Sequence, residues 1–209
     1  MREAIDYFEN HRNKLRFPWS LYHRPIVSAL TAALGASPGP DVLNVGAGPF
    51  FELSLLDARA RRITVCDIDE RAVELAKQTH GAALAGADAV APGVPLPYPD
   101  GSFDLVVAMD VIEHLPEPLP WLKELVRVTR RGGHLFLTTP NYASKSLVTL
   151  EKTALELVAR KQGFSRNGLH PSKLDPDSFR QLFLEAGASR VEIELLSFGW
   201  VLAGRAVRS

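Results

Sequence analysis

Residues 41–51 read DVLNVGAGPFF. Val42, Leu43 and Val45 form a short apolar run of the kind that makes a buried strand. Gly46-Ala47-Gly48 forms a turn, Pro49 stands at a first helical position, and an apolar helix is expected from Phe50 to about Ala60. Glycine is required where a backbone turns sharply after a strand and must lie close to a ligand, because a Cβ would block either the dihedral or the contact. That is the geometry of a nucleotide site, although two glycines after an apolar run also make an ordinary strand-to-helix turn.

The next apolar run, RITVCD over residues 62–67, ends in an acid 21 positions after Gly46. A carboxylate about 20 residues beyond the glycine turn is where a doubly wound fold places the group that binds ribose hydroxyls, so Asp67 is the candidate ribose ligand. Both pieces fit one adenosine. In an NAD site the third glycine of the turn would fall at Phe51, whose side chain obstructs the close helix–strand packing, and an NAD-dependent oxidoreductase is the weaker reading.

Four stretches, VLNVGAGPF, VCDID, GADAVAPGVPLPYPDGSFDLVVAMDVIEHL and RRGGHLFLTTPN, resemble in order and spacing the successive motifs of class I S-adenosylmethionine-dependent methyltransferases. Within that family they are similar to the small-molecule group that includes ubiquinone-pathway enzymes. The similarity runs roughly from Asp41 to the C-terminus. It implies S-adenosyl-L-methionine as cofactor and a doubly wound, seven-stranded, mostly parallel α/β sheet, Rossmann-like, with an antiparallel final strand. It also implies methyl transfer to a hydroxyl, amine or carbon of a small-molecule acceptor, with a non-catalytic cofactor-binding module as the alternative. Cofactor contacts are expected from Asn44, Gly46, Ala47, Gly48, Asp67, Ile68, Asp88, Ala89 and Met109. Asp88 would accept a hydrogen bond from the adenine amine while the Ala89 N–H meets a ring nitrogen. The family usually carries an acid at the place of Asn44 and often a third glycine at the place of Phe50. Asn44 keeps hydrogen-bonding capacity without the charge.

Composition narrows the partners. The chain has 209 residues, enough for one domain with a sizeable core, and its 24 Lys plus Arg balance 24 Asp plus Glu. A neutral chain lacks the general attraction expected of a nucleic-acid binder, so no nucleic-acid partner is expected. The single cysteine, Cys66, excludes an internal disulfide and reads as a small buried residue. No apolar run approaches the length of a membrane span, and the N-terminus MREAIDYFENHRNK is charged where a signal peptide needs an apolar core. A cytoplasmic protein without a membrane span is the expectation; the oligomeric state is not legible.

Residues 1–36 show helical signals, with Ile26, Leu30 and Ala33 on one face, and form a candidate lid whose aromatics (Tyr7, Phe8, Phe17, Trp19, Tyr22) either cover the ligand or pack the helix on its domain. Strands alternate with helices as βαβ units require: a helix from Glu70, a weak third strand over Ala82–Ala87 leading to Asp88-Ala89, and a nearly all-apolar strand FDLVVAM over 103–109. The helix bearing Trp121, Leu122, Leu125 and Val126 is expected to end at Arg130-Arg131-Gly132-Gly133, with strand five following from His134 to Thr139. Ligands in an open α/β sheet sit beyond the carboxyl ends of the strands, which puts Met109, Asp110, Glu113 and His114 near cofactor and acceptor.

Residues 142–173 read as an insertion with an amphipathic helix over Ser146–Arg160. From Lys145 to Lys173 it carries six basic and two acidic residues, a local charge of +4. This segment is either a solvated helix face or a cap that closes over an anionic acceptor. His114 and His170 are the two histidines placed to serve as a general base. The whole is read as a single methyltransferase domain, with residues 1–36 as lid and 142–173 as the substrate-side insertion, ending in a helix over 175–187 and a final pair of strands.

Overall fold

The computed structural model describes residues 20–48, 61–161, 165 and 168–209. The lid aromatics before Ser20 and the expected helix from Phe50 to Ala60 lie outside the described residues. Helix α1 (Ser20–Ala36) precedes β1 (Asp41–Val45), β2 (Arg62–Asp67), α2 (Glu70–His80), β3 (Leu84–Ala89) and β4 (Phe103–Met109). Then follow α3 (Pro118–Val128), β5 (Thr129–Pro140), α4 (Lys145–Leu150) and α5 (Glu156–Lys161), and finally α6 (Pro176–Glu185), β6 (Ala188–Leu196) and β7 (Val201–Arg208).

The seven strands form one sheet in the order β3-β2-β1-β4-β5-β7-β6. Pairing is parallel from β3 to β5, and β7 runs antiparallel to both of its neighbours. Parallel strands in such a sheet must bury both faces, and the side chains alternate accordingly. Leu43, Val45, Val106, Ala108, Leu135 and Leu137 pack with Leu122 and Leu125 of α3 and Phe179 and Phe183 of α6. Val42, Ile63, Val65, Leu105, Val107 and Phe136 pack on the other face with Ile26, Ala29, Leu30 and Ala33 of α1. The apolar stripe of α1 is therefore part of the core. Gly204 in β7 is demanded by packing, since a Cβ there would stand 2.5 Å from Phe183 Cε2 and 2.9 Å from Phe179 Cε1.

Three elements differ from their expected bounds. The third strand begins at Leu84, after a single turn at Gly81–Ala83, and includes Asp88 and Ala89. The cause is its pairing: Asp67 at the end of β2 stands opposite Ala89, so β3 has to run that far. Helix α3 stops at Val128, and Arg130 to Gly133 belong to the following strand. Thr129 pairs with Phe103, and the register then shifts before Leu105 meets His134. Gly132, at φ 74°, and Gly133, whose Cβ would lie 2.8 Å from the Arg130 carbonyl, absorb this bulge in place of capping the helix. Arg130 pairs with buried Asp104. Finally, the helix of the insertion is interrupted by a π turn over Glu151–Leu155 between α4 and α5.

Candidate active site

Register sets the site. Asp88, Cys66, Val45, Ala108 and Leu137 stand side by side across β3, β2, β1, β4 and β5. The residues that follow them therefore leave the sheet along one edge, so Ala89, Asp67, Gly46, Met109 and Thr138 share it. The expected cofactor residues, spread over 66 positions of sequence from Asn44 to Met109, are brought to one edge by strand pairing.

The glycine turn is left-handed at both glycines, with φ 68° at Gly46 and 54° at Gly48. A Cβ on Gly46 would lie 2.4 Å from Val111 Cγ2, so only glycine fits. The Gly46 and Ala47 N–H groups both donate to the Cys66 carbonyl, at 2.8 and 3.3 Å. The Gly48 N–H donates to Asp67 Oδ2 at 2.8 Å, and Asp69 N–H donates to Asp67 Oδ1 at 2.9 Å. Asp67 thus holds the turn in place while each of its oxygens retains a lone pair for a further donor. Ile68 beside it is 66% exposed, an apolar side chain on the rim, and Asn44 is buried within β1.

Asp88 has a protein partner that sequence reasoning did not anticipate: Tyr98 Oη donates to its Oδ2 at 2.9 Å. Tyr98 lies in the proline-rich loop, which Arg127 of α3 pins by donating to the Leu96 and Tyr98 carbonyls and to Asp100. Burial pushes the neighbouring Cys66 thiol up to about 12, reinforced by the charges of Asp67 and Asp88, and burial likewise raises Tyr98.

Beyond β4 and β5 the chain builds a second group of polar residues. Asp110 has φ 53° and is fastened to β5 twice, its N–H donating to the Thr138 carbonyl and its Oδ1 accepting from Thr138 Oγ1. The turn Ile112–His114 then drives Glu113 inward, where it is 1% exposed and accepts a hydrogen bond from Thr139 Oγ1 at 3.2 Å. Burial, followed by the charge of Asp110, pushes the Glu113 carboxyl up to about 9.

His114 and His170, 56 positions apart in sequence, meet here with ring centres 4.8 Å apart and planes at 76°. They meet because Ser172 ties the two segments, its N–H donating to the Glu113 carbonyl and its Oγ to the Leu115 carbonyl. His114 Nδ1 donates to the Leu169 carbonyl at 3.1 Å, and His170 Nδ1 shares a hydrogen bond with Tyr142 Oη. Tyr142 and Glu151, whose Oε1 is 4.0 Å from His170 Nδ1, are site residues the sequence reading missed. Their one advance signal was position, at the mouth of the insertion after strand five.

His170 and Tyr142 line a cavity of about 620 Å³ formed under the insertion. Its other lining residues include Lys152, Arg160 and Lys173 and, opposite in sign, Glu151, Glu156 and Asp175. The excess of positive charge counted along the sequence is balanced in the lining itself, and Arg160 is paired with Glu156 at 2.8 Å.

Residues 43–137 match the family model described as a methyltransferase domain. A probable S-adenosylmethionine-dependent methyltransferase of Mycobacterium tuberculosis is 28% identical over 169 residues, which are 81% of this chain and 55% of that protein. Over these residues the chain is similar to S-adenosylmethionine-dependent methyltransferases. An S-adenosylmethionine-dependent methyltransferase from Aquifex aeolicus shares the fold of this methyltransferase domain with a TM-score of 0.66 at 19% identity, over 96% of this chain and 98% of that one. Magnesium protoporphyrin IX methyltransferase from Synechocystis PCC 6803, solved with bound S-adenosylhomocysteine, does so with a TM-score of 0.66 at 21% identity over 97% and 94%. The chain spans about half the length of the curated relatives it matches, 55% of one and 40% of another. The edge formed by Gly46, Gly48, Asp67 and Ile68 fits the family's cofactor: a turn without side chains, a carboxylate with acceptor capacity left, and an exposed apolar neighbour.

Proposed function

We propose that this domain transfers a methyl group from S-adenosyl-L-methionine to a hydroxyl, amine or carbon of a small molecule held in the cavity at Tyr142 and His170. The cofactor supplies a methyl on positively charged sulfur, already attached to a good leaving group. Gly46, Ala47 and Gly48 would receive its backbone-facing part, Asp67 the ribose hydroxyls, Ile68 and Ala89 the adenine with Asp88, and Asn44 and Met109 the methionine end. What remains for the protein is positioning, which can supply about 7–11 kcal/mol, with proton handling adding about 10²–10⁴-fold in rate. His114 and His170 are the groups for that second task.

The observation that carries this reading is the cavity itself, lined by His170 and Tyr142 together with Val148, Glu151, Lys152 and Lys173 of the segment read as the acceptor-side insertion. Lys152 and Lys173 line it together with Glu151 and Asp175, which suits a polar acceptor bearing an anionic group beside a donor. Calorimetry with S-adenosylhomocysteine, followed by release of S-adenosylhomocysteine in the presence of phenolic, quinol, amine and carboxylic acceptors, tests it. Binding without release from any acceptor would make the domain a cofactor-binding module.

A further inference from the structure

We propose that Glu113, His114 and His170 form a binding site for a divalent transition-metal ion of the zinc class, at the acceptor side of the domain. Each offers one ligand atom, and the three lie within 4.8 Å of one another. Ligands around one tetrahedral zinc with bonds of ~2.1 Å stand roughly 3.4 Å apart, so closure needs a movement of about an ångström. His114, on an exposed turn, can supply that by side-chain rotation. Two imidazoles sharing such an ion have ring centres on the order of 5 Å apart, and these stand at 4.8 Å.

The surroundings are those of a ligand set. Metal-bound histidines are oriented by a hydrogen bond at the other ring nitrogen. A carbonyl can only accept, so the bond to Leu169 puts the His114 proton on Nδ1 and the lone pair on Nε2. Tyr142 Oη engages His170 Nδ1, and Thr139 Oγ1 orients the Glu113 carboxyl. The ties from Ser172 hold the two segments together across the cluster. Two imidazoles with one carboxylate select zinc or a similar ion over magnesium or calcium, which require oxygen ligands. Three protein ligands leave a position open, and His170 places it beside the cavity. There the ion would bind the acceptor's oxygen or nitrogen and favour loss of its proton to solvent. That last role rests on the methyl-transfer reading; ion binding does not.

The test is titration of the tag-free chain with cobalt(II), read by visible absorption, and with zinc, read by calorimetry. One ion per chain with the intense bands of a four-coordinate site is expected, and His114→Ala and His170→Ala should each weaken binding at least tenfold. Glu113→Gln should do the same; if it fails to fold, the exposed His114 decides. S-adenosylhomocysteine affinity, measured alongside, should be unchanged in His114→Ala. Absence of stoichiometric binding, or equal binding by the histidine variants, overturns the site. Ion binding without any S-adenosylhomocysteine binding would leave the site standing and sink the methyl-transfer reading.

Discussion

The backbone N–H of Gly48 donates to Asp67 Oδ2 at 2.8 Å, joining the turn after the first strand to the acid after the second. The residue proposed to hold the ribose is also the one that shapes the glycine turn. Two functions therefore converge on one carboxylate, and they are lost together. Asp67→Ala should lower S-adenosylhomocysteine affinity at least tenfold, since hydrogen bonds to a charged group contribute about 1.5–3 kcal/mol each. Gly48→Val should do likewise by forcing a branched residue to φ 54°. Unchanged affinity in calorimetry for either variant would remove the assignment.

Tyr142 and His170 are hydrogen-bonded at the cavity wall. Once an acceptor is found, His170→Ala should reduce kcat by about 10²-fold or more with cofactor affinity intact, and Tyr142→Phe by less. If replacement of His114 and of His170 each costs under about threefold, catalysis is by positioning. A chelator that removes activity while sparing S-adenosylhomocysteine binding would distinguish a metal-held pair from a free base.

Lys173 lines the cavity, with its Nζ 5.9 Å from the centre of the Tyr142 ring. Lys173→Glu should raise KM for an anionic acceptor several-fold and weaken the dependence of kcat/KM on ionic strength. Acceptor kinetics indifferent to this charge reversal would leave the insertion a packing role only.

Gly204→Ala should destabilise the fold by about 1–3 kcal/mol, the usual cost of overpacking, because its Cβ would overlap Phe183. The shift in the denaturation midpoint measures it, and Phe183→Leu in the same chain should restore part of the loss. Additive destabilisation by the two changes would contradict the contact.

The Cys66 thiol, raised to about 12 from an ordinary 9.0, is held neutral by burial. A raised folded value favours the protonated form, so this group's stabilising contribution is complete below about pH 9 and is lost as pH climbs towards 12. Native protein should accordingly react with iodoacetamide at pH 8 far more slowly than unfolded protein, and Cys66→Ala should flatten the alkaline limb of the stability curve. Rapid native alkylation would show that the thiol is accessible.

Much of the sheet was readable because its signals are local. Three apolar residues, Val42, Leu43 and Val45, before a glycine pair, an acid at the end of the next run, and the nearly all-apolar FDLVVAM each report a buried strand through the side chains it carries. Periodicity likewise located the stripe of α1 and the helix capped by Asp175 and Ser178. The failures came where a neighbour decided: β3 ends at Ala89 because Asp67 stands opposite, and Gly132-Gly133 serves a bulge because Thr129 pairs with Phe103.

The edge proposed for the cofactor follows from the order of strands and loops, so Gly46, Gly48 and Asp67 could be placed together on it from spacing. By contrast, the burial of Glu113, the meeting of His114 with His170, and the bonds from Tyr142 and Tyr98 arise between segments far apart in sequence. The sequence alone determined the alternation of strands and helices and the chemistry at their junctions. Only the tertiary structure decided which distant side chains share a cavity, because that depends on backbone ties such as those from Ser172 to Glu113 and Leu115, which no local periodicity records.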